Sequence, residues 1–437
     1  MELTIQKNLF VRYDVDVCIA GGGPAGVAAA VAAARCGASV FLAESSGSFG
    51  GAATVALVPA FMQFTDGVHF VADGIGREIR DAIRNSCPED ARPYCPDGIP
   101  VETLKLCYDQ LVAAAGVQFR FFTTVIDVVR DGNRITHVVC SGKGENFAVC
   151  AKVFIDCTGD GDLCAMAGAP YEQGDENGET MAATLCGLWN GIRWQDVVRP
   201  DSRRLDDAFA DHIFTNEDRH LPGMWPVSKS VGGSNAGHIY GVDGTQADSL
   251  TQAMLAGRRQ LQEYRRYYRE YLTGYEQAEL VVSASQIGIR ETRRIQGDYQ
   301  LKLQDFLDRA VFKDEIGRYC YPVDVHSSRN TSSGYQKYEN DFANLRYQKG
   351  DSYGIPYRSL TVTGLDNTLT AGRCISADRS MQASVRVMPG CFITGQASGC
   401  AAALAAKGKG DTRGVSIHQL QQQLKRLGAY LPNVQGE

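Results

Sequence analysis

A chain of 437 residues is too long for one simple core and calls for about two or three structural units. Its composition, 44% hydrophobic and 22% charged, excludes a fibre or a disordered chain. A net charge of −6 with no long basic run argues against nucleic acid or an anionic membrane surface as a partner.

The segment Met1 to Tyr13 carries Glu2, Lys7 and Arg12 and lacks the apolar stretch of a secretory signal. No run reaches the ~18 uninterrupted apolar residues of a spanning helix. The fourteen cysteines include no C-x-x-C pair and no metal-ligand spacing. Several of them (Cys18, Cys107, Cys140, Cys157, Cys400) fall inside apolar runs, where a thiol behaves as a small hydrophobe. Reduced structural thiols in a soluble, cytoplasmic protein without a metal site are expected.

Val15 to Ala20 (VDVCIA) is a continuous apolar run, the pattern of a buried parallel strand. A glycine turn follows, then a small-residue helix from Pro24 to Cys36, a stop at Gly37, and a second strand, Ser39 to Ala43, ending at Glu44. The turn reads Gly21-Gly22-Gly23-Pro24-Ala25-Gly26. In a G-x-G-x-x-G between strand and helix, the first glycine makes the turn and the second lets backbone approach a pyrophosphate, while the third packs helix on strand. The diphosphate then sits on the free N–H groups of the helix N-terminus. Glu44, 18 residues past Gly26, can accept both hydroxyls of an adenosine ribose, which favours FAD or NAD over a 2′-phosphorylated cofactor. The fold class is α/β, with a Rossmann-like dinucleotide-binding unit.

Asp73 to Asn85 and Val101 to Ala115 read as amphipathic helices. Between Val117 and Val153, strand-like runs (QFRFFTTVIDVVR, RITHVVCS, FAVCAKVFID) alternate with turns, giving a small antiparallel meander that rejoins the main sheet at Val153 to Cys157. From about Gly168 to Tyr357 the glycine-turn rhythm weakens. This stretch holds Trp189, Trp194 and Trp225, expected as core or lid residues, and a long charged helix, Gln246 to Tyr271. After Pro356 come a hairpin and strand (LTVTGLDNTLTAG), an Ala/Gly helix to Ala406 and a short polar helix, Ser416 to Leu427. The expected division is a dinucleotide-binding domain over 1–165 and 357–437, with an inserted α+β substrate or cap domain over 166–356.

The residues after Glu44 narrow the cofactor. A second glycine pair (Gly50-Gly51), IDCTGDGD from Ile155 to Asp162, and AGRCISADRS…VRVMPGCFITGQASG from Ala371 to Gly399 succeed one another in order. GIRETRRIQGDY (Gly288 to Tyr299) and YPVDVH (Tyr321 to His326) lie between them. Together these motifs resemble the FAD-dependent oxidoreductases of the glutathione reductase superfamily, on the branch related to fumarate reductase flavoproteins. The resemblance implies FAD held by Gly21, Gly23, Pro24, Ala25 and Gly26 at the pyrophosphate and by Glu44 at the ribose. It places Gly51 and Ala52 along the ribityl chain and ring edge, Val125 by the adenine, and Thr158, Gly159 and Asp160 on the adenosine side. Gly372, Arg373 and Asp378 are implied at the ribityl-phosphate region. Met388, Pro389, Gly390 and Cys391 open a helix whose N-terminus would stabilise charge on the reduced ring. Some members bond FAD covalently to a histidine near the second glycine pair; GGAATVALV has none, so FAD is expected to be non-covalent.

No second strand-GxGxxG-helix is present, which disfavours a two-nucleotide disulfide reductase and sends electrons through the substrate side or a partner protein. Arg290, Arg293 and Arg294 lie on an expected strand, with Arg290 and Arg294 on one face and Arg293 on the other. Arg290 or Arg293 can clamp an anionic substrate; ion pairing with Glu291 or Asp298 is the alternative. His326 is the candidate acid/base, against a structural role. His238 stands where relatives often carry arginine, and Cys391 is either a reactive thiolate or a small packing residue. The expected reaction is hydride exchange between a small anionic organic molecule and the flavin. A flavin monooxygenase using O₂ and a non-catalytic flavoprotein or redox subunit are the alternatives, and the oligomeric state is left open.

Overall fold

A computed structural model describes residues 3, 6–95, 97–198, 202–219, 223–331, 342 and 345–434. Its organising element is a seven-stranded sheet. Strand β1 (Val11–Ala20) leads through the glycine turn into helix α1 (Pro24–Arg35) and strand β2 (Val40–Ala43). Strands β3 (Gln118–Arg120), β4 (Thr123–Asp131), β5 (Arg134–Gly142) and β6 (Glu145–Asp156) complete the order β3-β2-β1-β6-β5-β4, and Thr368–Thr370 pairs with β6.

Contacts β2–β3, β1–β2, β1–β6 and β6 with Thr368–Thr370 are all parallel, with Ala20 beside both Ala43 and Asp156, and Thr370 beside Asp156. The carboxyl ends of these strands therefore share one edge. That edge puts Gly21, Glu44, Cys157 and Ala371 side by side, where ligands bind in open α/β sheets.

The meander is not a separate unit. Residues 145–150 of β6 pair antiparallel with β5, while residues 148–156 pair parallel with β1, so one twelve-residue strand serves both parts. The run QFRFFTTVIDVVR, expected as one strand, divides at Phe122, which adopts a left-handed φ of 51°. Its first part joins β2 and its second turns back against β5. Nothing in an aromatic, β-branched run announces that break.

The Ala-rich composition of α1 has a packing cause. It crosses the helix Met388–Ala406, and a Cβ at Gly395 or Gly399 would run into the carbonyl oxygens of Ala25 and Ala29. Small residues on both helices allow this backbone-to-backbone approach. Both helices are almost wholly buried, and no single helix among the described residues is long and apolar enough to cross a membrane.

A second core gathers around Trp189, Tyr264, Tyr267 and Tyr268. It lies between the helix Ala247–Tyr271 and a four-stranded antiparallel sheet ordered Glu279–Ser283, Gly187–Asn190, Gly232–Ser234, Met224–Pro226. Trp189 donates its indole N–H to Ser234 at 2.8 Å, which satisfies the polar end of a fully buried ring. Leu301, Phe306, Ile316, Tyr319 and Tyr353, all within 166–356, pack instead into the core of the first sheet.

One cysteine expectation is corrected: Cys87 and Cys95 form a disulfide, while the other twelve cysteines are free. Both bonded residues lie just past the helix Ile75–Ser86, close in sequence and brought together by a tight loop.

Candidate cofactor cleft and active site

The strand edge opens into a cleft of about 800 Å³ lined by Gly21, Gly23, Pro24, Ala25, Glu44 and Thr158 at one end and by Arg290, Asp324, His326 and Arg386 at the other. Backbone sterics define the first end. Gly21 has φ +93°, and a Cβ there would lie 2.5 Å from the Cys157 carbonyl oxygen. A Cβ at Gly26 would overlap the Gly21 carbonyl, whereas one at Gly23 would meet nothing. Gly26 is thus the packing glycine, and Gly23 faces open space. Helix α1 starts at Gly23 with no side-chain cap and with Pro24 at its first position. Its early N–H groups are left for a ligand.

Glu44 is buried at the end of β2, where its two oxygens accept the N–H groups of Gly22 at 2.7 Å and Ser46 at 2.6 Å. A carboxylate has about four acceptor sites; with a longer contact from Ser45 Oγ at 3.4 Å also on Oε1, the oxygen that accepts from Gly22 keeps a site for a ribose hydroxyl. Val125, with Thr123 and Thr124, and Thr158, Gly159 and Asp160 complete this end. The IDCTGDGD turn is held from beneath by Asp156, fully buried, which accepts from Thr158 Oγ1 at 2.7 Å and from Cys164 N at 2.9 Å.

Gly51, Ala52, Gly372, Arg373, Met388 and Cys391 line the middle of the cleft. Arg373 spends one arm on Asp160, at 2.7 Å. Uncapped helix N-terminus, buried acceptor carboxylate and glycine-walled passage together fit a dinucleotide with an extended second half.

Three of the positions expected at the cofactor lie off the cleft wall. Asp378 does not reach the cleft: it caps the helix Arg379–Val385, accepting from Met381 N at 2.8 Å and from Leu303 N at 2.7 Å. Pro389 and Gly390 belong to the helix start but do not line the cleft, and Gly390 packs against Val385 and Tyr319. Cys391 does line it, but burial pushes its thiol up to about 12 and its Sγ lies 3.1 Å from the Arg386 carbonyl oxygen. It is a neutral packing group, not a thiolate.

The far end is built at one edge of the second sheet, where Gly187 begins one strand beside Ser234 and Ser283, which end its two antiparallel neighbours. Cys186, Asn235 and Ser285, neighbours of those strand ends, lie on the wall, followed by Gln286 to Arg290. Arg290 is buried, and it donates to the Ala182 carbonyl at 2.7 Å and to Thr184 Oγ1 at 2.9 Å. Burial, with help from nearby Arg386, lowers its guanidinium to about 10, still cationic at neutral pH.

The expected alternation of arginines fails. Only Arg293 to Ile295 form a strand, and Arg290 lies before it in irregular backbone. Arg293 lies behind the cofactor end of the wall, pairing with Asp162 at 2.7 Å and donating to the Asp160 carbonyl at 3.0 Å, and Arg294 pairs with Glu291. Ion pairing thus accounts for these two arginines, leaving Arg290 in the cleft.

His326 reaches the cleft in a buried setting. Its Nε2 lies 3.4 Å from Asp324 Oδ2 and its Nδ1 lies 2.8 Å from His238 Nε2. Burial and then Arg290 hold its imidazole well below the ordinary histidine range, so it is neutral at pH 7. Burial opposes ionisation of Asp324, but His326, Arg386 and Arg290 outweigh it and keep the carboxyl far below its usual range. Arg386, two residues before Met388, pairs with Asp324 at 3.4 Å, and its buried Nε has no hydrogen-bond partner. Arg386 was not among the expected site residues, although its charge beside a helix start in VRVMPGCF is a sequence signal for it. Around these polar groups the wall is apolar, with Val55, Val58, Ala60, Met62, Met254 and Ile287, and Trp225 stands partly exposed among them.

No curated protein matches this sequence significantly. Solved structures resemble it at low identity. A geranylgeranyl bacteriochlorophyll reductase-like protein (Ta0516) from Thermoplasma acidophilum is 12% identical with a TM-score of 0.44, covering 95% of this chain and 83% of that one. The flavin-dependent brominase Bmp2 is 13% identical with a TM-score of 0.46, covering 95% and 84%. The flavin-dependent monooxygenase PieE is 15% identical with a TM-score of 0.36, covering 66% and 52%. A family model described as FAD dependent oxidoreductase matches residues 16–424, nearly the whole chain. The chain belongs to the FAD dependent oxidoreductase family, and FAD is its cofactor.

Proposed function

We propose that this enzyme exchanges a hydride between FAD and a small anionic organic substrate bound at the Arg290–His326 end of the cleft. The observation that carries this reading is the placement of two arginines and a neutral histidine at one end of the same cleft whose other end presents Gly23 and Glu44. Bound FAD, non-covalent in this reading, supplies two-electron redox chemistry. Gly21, Gly23, Glu44, Thr158 and Gly372 would hold it, with Met388 at the N-terminus of the long helix.

The chain's own residues do the rest. On the cleft wall itself Arg290 and Arg386 bring two positive charges against the one carboxylate that lines this end, Asp324, while Asp218 lies deeper, behind His238. That surplus favours a carboxylate or enolate over a neutral ligand. The unpartnered Nε of Arg386 is one donor whose desolvation an anion would offset. Neutral His326 accepts a proton from the substrate at Nε2, and Asp324 stabilises the charge that forms there. Apolar walls from Val55 to Met62 exclude water from the reacting group. Electrons then leave by the same cleft, through a second small molecule or a protein partner.

The branch shared with fumarate reductase flavoproteins is part of this proposal, supported by the order of motifs from Gly21 to Gly399. The test is anaerobic mixing of the FAD-loaded enzyme with a panel of small carboxylic acids and their amides, watching the visible flavin absorption. Bleaching by an acid but not by its amide supports the reading. Bleaching only by uncharged compounds, or only NAD(P)H consumption with O₂, would replace it with a different oxidoreductase class.

A further inference from the structure

Behind His326 lies a second histidine that does not touch the cleft. His238 Nε2 is 2.8 Å from His326 Nδ1, and the two rings are nearly perpendicular, at 81°. On its other side, His238 Nδ1 is 3.1 Å from Asp218 Oδ2, and the His238 backbone N–H donates to the same oxygen at 2.8 Å. His238 and Asp218 are buried to within a few per cent of complete exclusion from solvent.

We propose that His238 and Asp218 make His326 one end of a two-histidine proton relay, in which a proton taken from the substrate is carried as positive charge on His238. This rests on the proposed function, which puts the substrate against His326.

Proton arithmetic fixes how the pair must work. Carboxylate Asp218 accepts from Nδ1 of His238, so neutral His238 carries its proton there and offers a bare Nε2. The His238–Asp218 contact, at 3.1 Å, is shorter than the one between His326 Nε2 and Asp324, at 3.4 Å, so His326 donates from Nδ1 and its Nε2 is the nitrogen left bare, with Asp324 placed to accept the N–H that forms there. Only one proton fits in the 2.8 Å contact, because two N–H groups cannot face each other there. Uptake of a proton at His326 Nε2 therefore sends the Nδ1 proton across to His238 Nε2. The substrate X–H bond breaks, an N–H bond forms on His326, another breaks on it, and one forms on His238. The histidines carry a proton and no electrons; the electron pair goes to the cofactor.

Surrounding charges favour His238 as the resting place of that proton. His326 faces Arg290 and Asp324, with Arg386 behind Asp324, and burial together with Arg290 opposes a positive imidazole. His238 faces Asp218, with Tyr240 OH 3.3 Å from Nδ1 and Tyr264 of the helix Ala247–Tyr271 near Asp218. Burial, then Asp218, keeps Tyr264 protonated, so its phenol adds no competing charge.

The experiment is a pH titration of the FAD-loaded, full-length protein with ¹⁵N-labelled histidine. A through-hydrogen-bond nitrogen–nitrogen coupling identifies the pair without any substitution. The expected result is uptake of one proton by the pair, with His238 becoming the imidazolium while His326 stays neutral and moves its N–H from Nδ1 to Nε2. An imidazolium on His326, or independent titration of the two rings, overturns the relay. Asp218→Asn should lower the pair's midpoint by about one to two pH units, since it removes a charge in hydrogen-bond contact; an unmoved midpoint also overturns it. Independent titration in an enzyme whose flavin an acid does bleach rejects the relay alone. Coupled rings in an enzyme that no acid bleaches reject the functional reading instead.

Discussion

Glu44 is bound to the glycine turn it serves: the Gly22 N–H points at its carboxylate across 2.7 Å, joining the end of β2 to the start of α1. The carboxylate thus fixes the loop and keeps an acceptor site for the ribose. Glu44→Ala removes both, and we expect FAD affinity to fall by roughly 2–4 kcal/mol, the loss of two charge-assisted hydrogen bonds. Equilibrium release of FAD, followed by its fluorescence, checks this. Unchanged affinity would show that Glu44 is not the ribose ligand.

A second expectation concerns packing alone. A Cβ at Gly26 overlaps the Gly21 carbonyl, which is backbone and cannot rotate aside. Gly26→Ala must separate α1 from β1, at a cost of about 1–3 kcal/mol or more by analogy with overpacked cores. Thermal unfolding of the FAD-free protein should show the loss directly, separating it from any loss of FAD contacts. Gly23→Ala, with open space in place of backbone, should leave FAD-free stability within about 0.5 kcal/mol yet weaken FAD binding.

How much of this was legible in the sequence depends on the range of the interactions. The strand-turn-helix-strand from β1 to β2 is local, and its apolar runs and glycines state it almost residue by residue. Gly26 against Gly21, and Glu44 at a strand end, could be placed for the same reason. The far end of the cleft is tertiary. His326 meets His238, 88 positions away, and Arg290 escapes the ion pairs that take Arg293 and Arg294 only because the strand begins three residues later than alternation suggested. Asp378 followed the motif yet serves as a helix cap, the commonest use of an aspartate before a helix. Phe122 broke a run that every local preference reads as one strand.

Arginine substitutions distinguish the cleft from its surroundings. Arg386→Gln removes a cation from the substrate end, and we expect KM for an acidic substrate to rise by about tenfold or more, the equivalent of one charged hydrogen bond. Arg293→Gln breaks a partly exposed pair with Asp162 and a hydrogen bond to the Asp160 carbonyl, both at the cofactor end, and should change stability by about 1 kcal/mol or less and leave KM for an acidic substrate nearly untouched. Steady-state kinetics on both variants is the check. A large kinetic effect at Arg293 with none at Arg386 would mean that the substrate lies elsewhere.

The prediction with most at stake is His326→Ala. Its imidazole is the one neutral base facing the far end of the cleft beside two arginines, so its loss should slow flavin reduction by about 10²–10⁴-fold while FAD content and spectrum stay intact. The pH profile carries the sign. Burial and Arg290 hold His326 well below the ordinary histidine range, so its imidazole is uncharged, and competent as a base, at neutral pH. Reduction of the flavin by substrate should therefore be flat near neutrality and fall as pH drops through the pair's midpoint, and His326→Ala should abolish that acidic limb. His326→Gln separates proton transfer from shape, since it keeps the hydrogen bond toward His238 but cannot take up a proton. If His326→Gln retains the wild-type rate and the acidic limb, His326 is a structural residue and the base must be sought among Tyr321 and the residues around Arg290.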